Sequence, residues 1–258
     1  MQHLRENKPI LHALVWVAAY VALVNVGDLI SPQLPAGIPV TGILLGLLSI
    51  ALLIYLKRTG LVAFYGLKRP QHGTMALALY LVPLFAIAFL QYAKGLIPGL
   101  DAGTILSACL LVAGVGFIEE LLFRGFLFQA LLEKSNLNRA ILISGITFGI
   151  GHIVNLARGY SASDQLIQIV AAVVIGIALT YCVALTGSII PGVVFHALFN
   201  LSGTLTNHVV AWDMYIVGAA IVVLVPYILF MRRQLIRIQA RAATAPAKAD
   251  AAYADGAV

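Results

Sequence analysis

The chain has 258 residues, of which 61% are hydrophobic and only 10% charged, with a mean hydropathy of +0.99. A soluble domain carries about 25% charged residues, so the composition excludes a soluble enzyme, a disordered protein and a nucleic-acid-binding domain. What remains is an all-α polytopic membrane protein, in which the net charge of +6 has to be explained by position rather than by affinity for nucleic acid.

A helix needs about 20 mostly apolar residues to cross the hydrocarbon core. Eight such runs are predicted: Ile10–Ile30, Ile38–Leu56, Thr74–Tyr92, Thr104–Leu132, Ala140–Leu156, Gln165–Leu185, Ser188–Leu205 and Met214–Met231. Pro32, Pro35 and Pro39 separate the first from the second, and Pro98-Gly99 the third from the fourth. The first run follows Arg5 and Lys8 but exceeds the ~7–15 apolar residues of a signal peptide, so it is expected to stay as an anchor. The fourth is long and charged in its middle, and the seventh is short and polar for a span. From residue 240 the sequence turns alanine-rich and weakly polar. This predicts a helical bundle over 1–239 and a disordered tail over 240–258. Cys109 and Cys182 lie within apolar runs without CxxC spacing, which predicts two small packing residues rather than a disulfide or thiol metal site.

With eight spans, both termini share one face. That face collects thirteen basic residues, in groups at Arg5 and Lys8, at Lys57, Arg58, Lys68 and Arg69, at Lys134 and Arg139, and from Arg232 to Lys248. The other face receives Lys94 and Arg158. The positive-inside rule then predicts cytoplasmic termini.

Three charges fall deep within a span: Glu119, Glu120 and Arg124. An ionisable group at the membrane centre costs at least about 2.5–3.5 kcal/mol, so each needs compensation. Glu120 and Arg124 stand at i and i+4 with the carboxylate N-terminal, the favourable order for a helical pair. Glu119 points about 100° away and finds no partner on its own helix. One reading is a structural ion pair beside a protonated neighbour; the favoured one is a functional carboxylate facing a polar cavity. Gly116, one turn earlier, removes bulk beside Glu119. Later spans carry His152, preceded by Gly149 and Gly151, which are expected to bring the backbone close to the cavity, and His196 with Asn200 at i, i+4 on one helical face. Polar groups in lipid face the bundle interior, so these residues are expected to converge. The other histidines (His3, His12, His72 and His208) are expected to be solvated or interfacial, and Trp16, Tyr92 and Trp212 to be interfacial anchors.

A carboxylate and a histidine flanking one water can deprotonate it for attack on a carbonyl. A second histidine and an asparagine amide can stabilise the oxyanion, a contribution of about 3–4 kcal/mol for a good donor. Glu119, His152 and His196 also make a His2Glu set suited to zinc. Against zinc stand the lack of HExxH and the poor ligand quality of Asn200. No serine lies in a GxSxG setting.

Glu119-Glu120-Leu-Leu-Phe-Arg124, Phe148-xxx-His152 and His196-xxx-Asn200 resemble the three motifs of the CPBP family. That group comprises CAAX-processing (Rce1-type) proteases and bacteriocin-processing or Abi-type membrane proteins. The match extends to Gly125 and to Thr186-Gly187-Ser188, and covers residues 104–205. The resemblance implies an eight-helix fold and intramembrane peptidase activity. In it Glu119 is the general base, His152 holds the same water, His196 and Asn200 bind the oxyanion, and Glu120 and Arg124 shape and charge the site. The family has been described both as metal-dependent and as a metal-free glutamate type; this sequence favours the latter, so no cofactor is required, while zinc remains compatible. The expected partners are a membrane-associated protein or peptide substrate and the lipid bilayer, with no nucleic acid. The oligomeric state stays open. Short loops and a single domain resemble the bacterial relatives, which implies a bacterial cell membrane. The alternatives are a non-catalytic peptide-binding or immunity protein of the same family, or a transporter or proton relay. A transporter often shows internal repeats, and no motif is duplicated between the two halves.

Overall fold

Inside a bilayer every backbone N–H and C=O must be satisfied within the protein, which leaves helices as the solution for apolar runs of this length. The computed structural model describes residues 1–35, 37–71, 73–158 and 161–244, and no strand occurs among the described residues. After a short N-terminal helix (Gln2–Asn7), the chain forms α1 (Pro9–Ile30), α2 (Val40–Arg58) and α3 (Thr74–Leu90). Helix α4 runs Ala102–Glu120, passes through a π-helical stretch at Leu121–Leu127 and resumes as α-helix over Phe128–Leu132. Then come α5 (Leu137–Gly151), α6 (Ala162–Thr186), α7 (Ile190–Thr204) and α8 (Val210–Thr244). Helix α8 thus passes the boundary expected at 240; the rest of the predicted tail, 245–258, lies outside the described residues, as does His72.

Seven of the eight predicted runs are helices long and apolar enough to cross a membrane among the described residues. The exception is α7, with 15 residues, or ~22 Å at about 1.5 Å per residue. Its limits are local. Gly187, at φ +67°, stops α6 with its N–H on the Val183 carbonyl at 2.7 Å, and Pro191 opens α7 one turn later. The outer surface is apolar, with Met75, Leu106 and Val222 each more than 70% exposed, as a surface solvated by lipid requires.

The connections sort onto two faces. On the face with the termini, the Arg5 guanidinium lies 5.8 Å above the Phe64 ring, the Gln71 N–H donates to the Thr186 carbonyl (2.7 Å) and the Ile189 N–H to the Gly66 carbonyl (2.9 Å). On the opposite face, the Ile97 N–H donates to the Leu205 carbonyl (3.1 Å), and the Asn207 side-chain amide reaches the carbonyls of Lys94, Gly95 and Leu96 at 3.2 Å each. Lys94 is paired there with Asp213 at 2.9 Å.

Two expectations change. Gly149 does not open onto the cavity: it seats α5 on α6, where a Cβ would stand 2.7 Å from the Val173 nitrogen. His12 is 1% exposed rather than interfacial, and its Nε2 accepts from the Trp16 indole at 3.1 Å with the Tyr55 hydroxyl at 3.3 Å. A neutral ring on the inner face of α1 is satisfied by these neighbours and needs no water.

Candidate active site

Helix α4 carries the acidic pair. Asp101 caps its start, accepting from the Thr104 N–H at 2.6 Å, and that bond holds the exposed carboxyl below the usual carboxylate range. At the other end Glu119 and Glu120 are the last α-helical residues before the backbone widens into the π-helical stretch. Such insertions recur at functional sites because they re-aim side chains. The Phe123 carbonyl, inside the stretch, takes the Ser144 hydroxyl of α5 at 2.8 Å, which ties the widened turn to the helix that bears His152.

Glu120 and Arg124 are both fully buried, and the predicted pair forms at 3.0 Å between Glu120 Oε1 and the guanidinium. The Arg124 guanidinium also lies 4.1 Å above the Phe148 ring, a desolvated cation–π contact. The same ring meets His152 edge-on at 5.3 Å and His196 at 5.7 Å between centroids. Phe148 is therefore the common wall on which three of the motif residues are packed. Gly192 gives Glu120 its room, since a Cβ there would stand 2.8 Å from Oε2.

Glu119 is not left without a partner, although no residue of α4 pairs with it. Tyr20 of α1 donates its hydroxyl to Glu119 Oε1 at 2.7 Å. The His196 ring lies between the two carboxylates, with Nδ1 3.1 Å from Glu120 Oε1 and Nε2 3.5 Å from Glu119 Oε2. The close approach of α7 that this requires depends on Gly116, where a Cβ would stand 3.0 Å from the Ala197 nitrogen.

Glu119, His152 and Asn200 line one cavity of about 540 Å³, together with Tyr20, Phe123 and Phe148. The Glu119 side chain retains 11% exposure on this wall. His196 reaches the cavity through Glu119, so the structure brings His196 to the carboxylates and leaves Asn200 to face the open space. Half of the remaining lining is apolar, and four carboxamides, Asn25, Gln91, Asn155 and Gln168, join Asn200. Asn155 donates to Gln168 at 3.0 Å, and Gln91 donates to the Phe199 carbonyl at 2.7 Å. Sequence reasoning missed Tyr20 and these amides. The available signal was a phenol midway along an apolar run, with an Asn one turn later in that run and an Asn or Gln near the end of three others.

Among the described residues no three His, Cys, Asp or Glu side chains are grouped to hold a metal ion. Glu119, His152 and His196 therefore do not fit the His2Glu zinc set as they stand. Residues 101–202 match the family model described as type II CAAX prenyl endopeptidase, Rce1-like. No curated protein and no solved structure is matched by the chain. The Rce1-like segment spans α4 to α7 and contains Glu119, Glu120, Arg124, His152, His196 and Asn200.

Proposed function

Starting from an Rce1-like segment set in a multi-pass membrane bundle, we propose that this protein is an intramembrane endopeptidase that hydrolyses a peptide bond of a membrane-associated polypeptide. The observation that carries the reading is a cavity, within the spans, walled by Glu119, His152 and Asn200. A water held between Glu119 and His152 loses a proton to Glu119 as its oxygen attacks the carbonyl carbon. The Asn200 amide donates to the oxyanion that forms. The C–N bond then breaks as Glu119 returns the proton to the leaving nitrogen, giving a carboxylic acid and an amine. No step passes through a metal.

The resemblance implies an oxyanion role for His196. Its position between two carboxylates supports a different part, holding Glu119 against the cavity. Tyr20 adds a second hold on the base. A second reading, a family member that binds a peptide without cutting it, draws on the five carboxamides, which suit an extended backbone whether or not it is cleaved.

Glu119→Gln separates the two. Membrane fractions from cells expressing the parent or the variant at equal levels are catalogued for new N- and C-termini by mass spectrometry. Termini present only with the parent are expected. Identical catalogues, with the variant folded, would sink the endopeptidase reading in favour of binding.

A further inference from the structure

The inner end of the cavity is at Glu119, midway along the span Ala102–Leu132, with His152 reaching it from just past the end of α5. Its outer end is set by where the helices that line it stop. Asp28 is in the last turn of α1 and Thr41 in the first turn of α2; Asn155 follows the end of α5, Gln168 is in the second turn of α6, and Thr204 is the last residue of α7. All five stand at the face opposite the chain termini, where the Leu96–Thr206 bridge, the Ile97–Leu205 hydrogen bond and the Lys94–Asp213 pair lie.

The two faces carry very different charge. Of the fifteen Lys and Arg among the described residues, twelve belong to the face with the termini and Arg124 is internal. That leaves Lys94 and Arg158 on the opposite side of the bundle, and Lys94 is spent in its pair with Asp213, its side chain only 4% exposed. Basic connections are retained in the cytoplasm during insertion. We propose that the cavity opens on the non-cytoplasmic side of the membrane and that its substrate is a polypeptide presented there: the outer end of a membrane segment, or a translocated peptide lying at the surface.

The chemistry of the mouth agrees with such a ligand. Carboxamides from α1, α6 and the turn after α5 line the mouth, with Asn25 donating to the Val21 carbonyl (2.7 Å) and Asn155 to Gln168 (3.0 Å); amides of this kind have the same donor and acceptor groups as an extended backbone, within a cavity of about 540 Å³ that admits a few residues. Between Glu119 and the basic end of α4 stand the buried Glu120–Arg124 pair and the fully buried side chains of Leu121 and Phe126. The direction of opening is independent of catalysis; the substrate class rests on the endopeptidase reading.

The test has two arms. In the first, Asn25→Cys at the mouth and Glu133→Cys on the basic face are each produced in the full chain in bacterial cells, with the parent as blank for Cys109 and Cys182. Both positions are exposed. A membrane-impermeant maleimide should label Asn25→Cys in intact cells as fully as after lysis, and Glu133→Cys only after lysis. A reporter after the C-terminus that is active only in the cytoplasm checks the same orientation without touching the cavity. Labelling of Asn25→Cys only after lysis, or in neither condition, overturns the opening. In the second arm, the termini that depend on Glu119 are mapped onto their parent proteins. Termini on non-cytoplasmic segments support the substrate class, and termini on cytoplasmic tails overturn it while leaving proteolysis standing. A lack of Glu119-dependent termini overturns the endopeptidase reading and the substrate class together, and the first arm still decides the opening.

Discussion

Replacing Tyr20 by Phe removes one oxygen and leaves the ring in place. The lost contact is the 2.7 Å hydrogen bond to Glu119 Oε1, in a residue 8% exposed. A hydrogen bond to a charged acceptor contributes about 1.5–3 kcal/mol, against roughly 1 kcal/mol for a neutral one. Because Glu119 lines a cavity that admits water, part of that loss is recovered by solvent, and a net cost of about 1–2 kcal/mol is expected. If Tyr20 holds the base in its reactive position, the same energy should appear in the barrier, at about tenfold in rate per 1.4 kcal/mol. The assay is a double-mutant cycle. Unfolding of the full chain in detergent is measured for the parent, Tyr20→Phe, Glu119→Gln and the double variant, with peptide cleavage followed in the two that retain Glu119. Gln still accepts a hydrogen bond but carries no charge, so the cost of removing the hydroxyl should fall to about 1 kcal/mol or less in that background. Equal costs in both backgrounds, together with parental cleavage by Tyr20→Phe, would refute the claim that α1 supplies a functional partner to the base.

Glu120→Gln should destabilise the protein by about 3–5 kcal/mol, since it leaves Arg124 charged in a fully buried site; the Phe148 face should keep the value near the low end. Adding Arg124→Met should recover much of that loss in the same unfolding measurement. Gly116→Val would push α7 away through backbone that cannot give, costing about 1–3 kcal/mol by overpacking. Cleavage should fall by more than stability alone explains, because the shift carries His196 and Asn200 with it. Because Glu119, His152 and His196 are not grouped at metal-binding geometry, cleavage should survive exhaustive chelation with no metal found by elemental analysis; loss on chelation and return with zinc would refute that expectation.

Hydrophobic runs broken by Pro and Gly are enough to place seven full helices, because the bilayer permits few other structures. The motif residues were legible for a related reason: a Glu, Arg or His in lipid is costly and stands out, whereas a Tyr or Gln does not. Tyr20 therefore passed as bulk, although its hydroxyl is the nearest donor to the base. The length of α7 was only half legible, since its end depends on the loop at Lys94–Ile97, more than a hundred residues away in sequence. Glycines misled in one case. Gly149 and Gly151 sit two apart beside His152, and only packing reveals that the first serves α6 and the second the cavity. His196 was placed on the right helix, but its two carboxylate neighbours depend on the π-helical widening and on Gly116, neither of which leaves a periodic trace.

The short helix α7 has a physical effect on the membrane around it. At ~22 Å it falls well short of a ~30 Å hydrocarbon layer, and its last turn is closed off by the loop carbonyls that the Asn207 amide gathers. Lipid packed beside that end has either to thin or to yield to solvent. In the proposed hydrolysis each bond cut consumes one water molecule, which in an intact bilayer would have to dissolve in oil to arrive. A sunken helix end brings the bulk phase down toward Asn200, so the reagent reaches the buried carboxylate by hydration rather than by permeation.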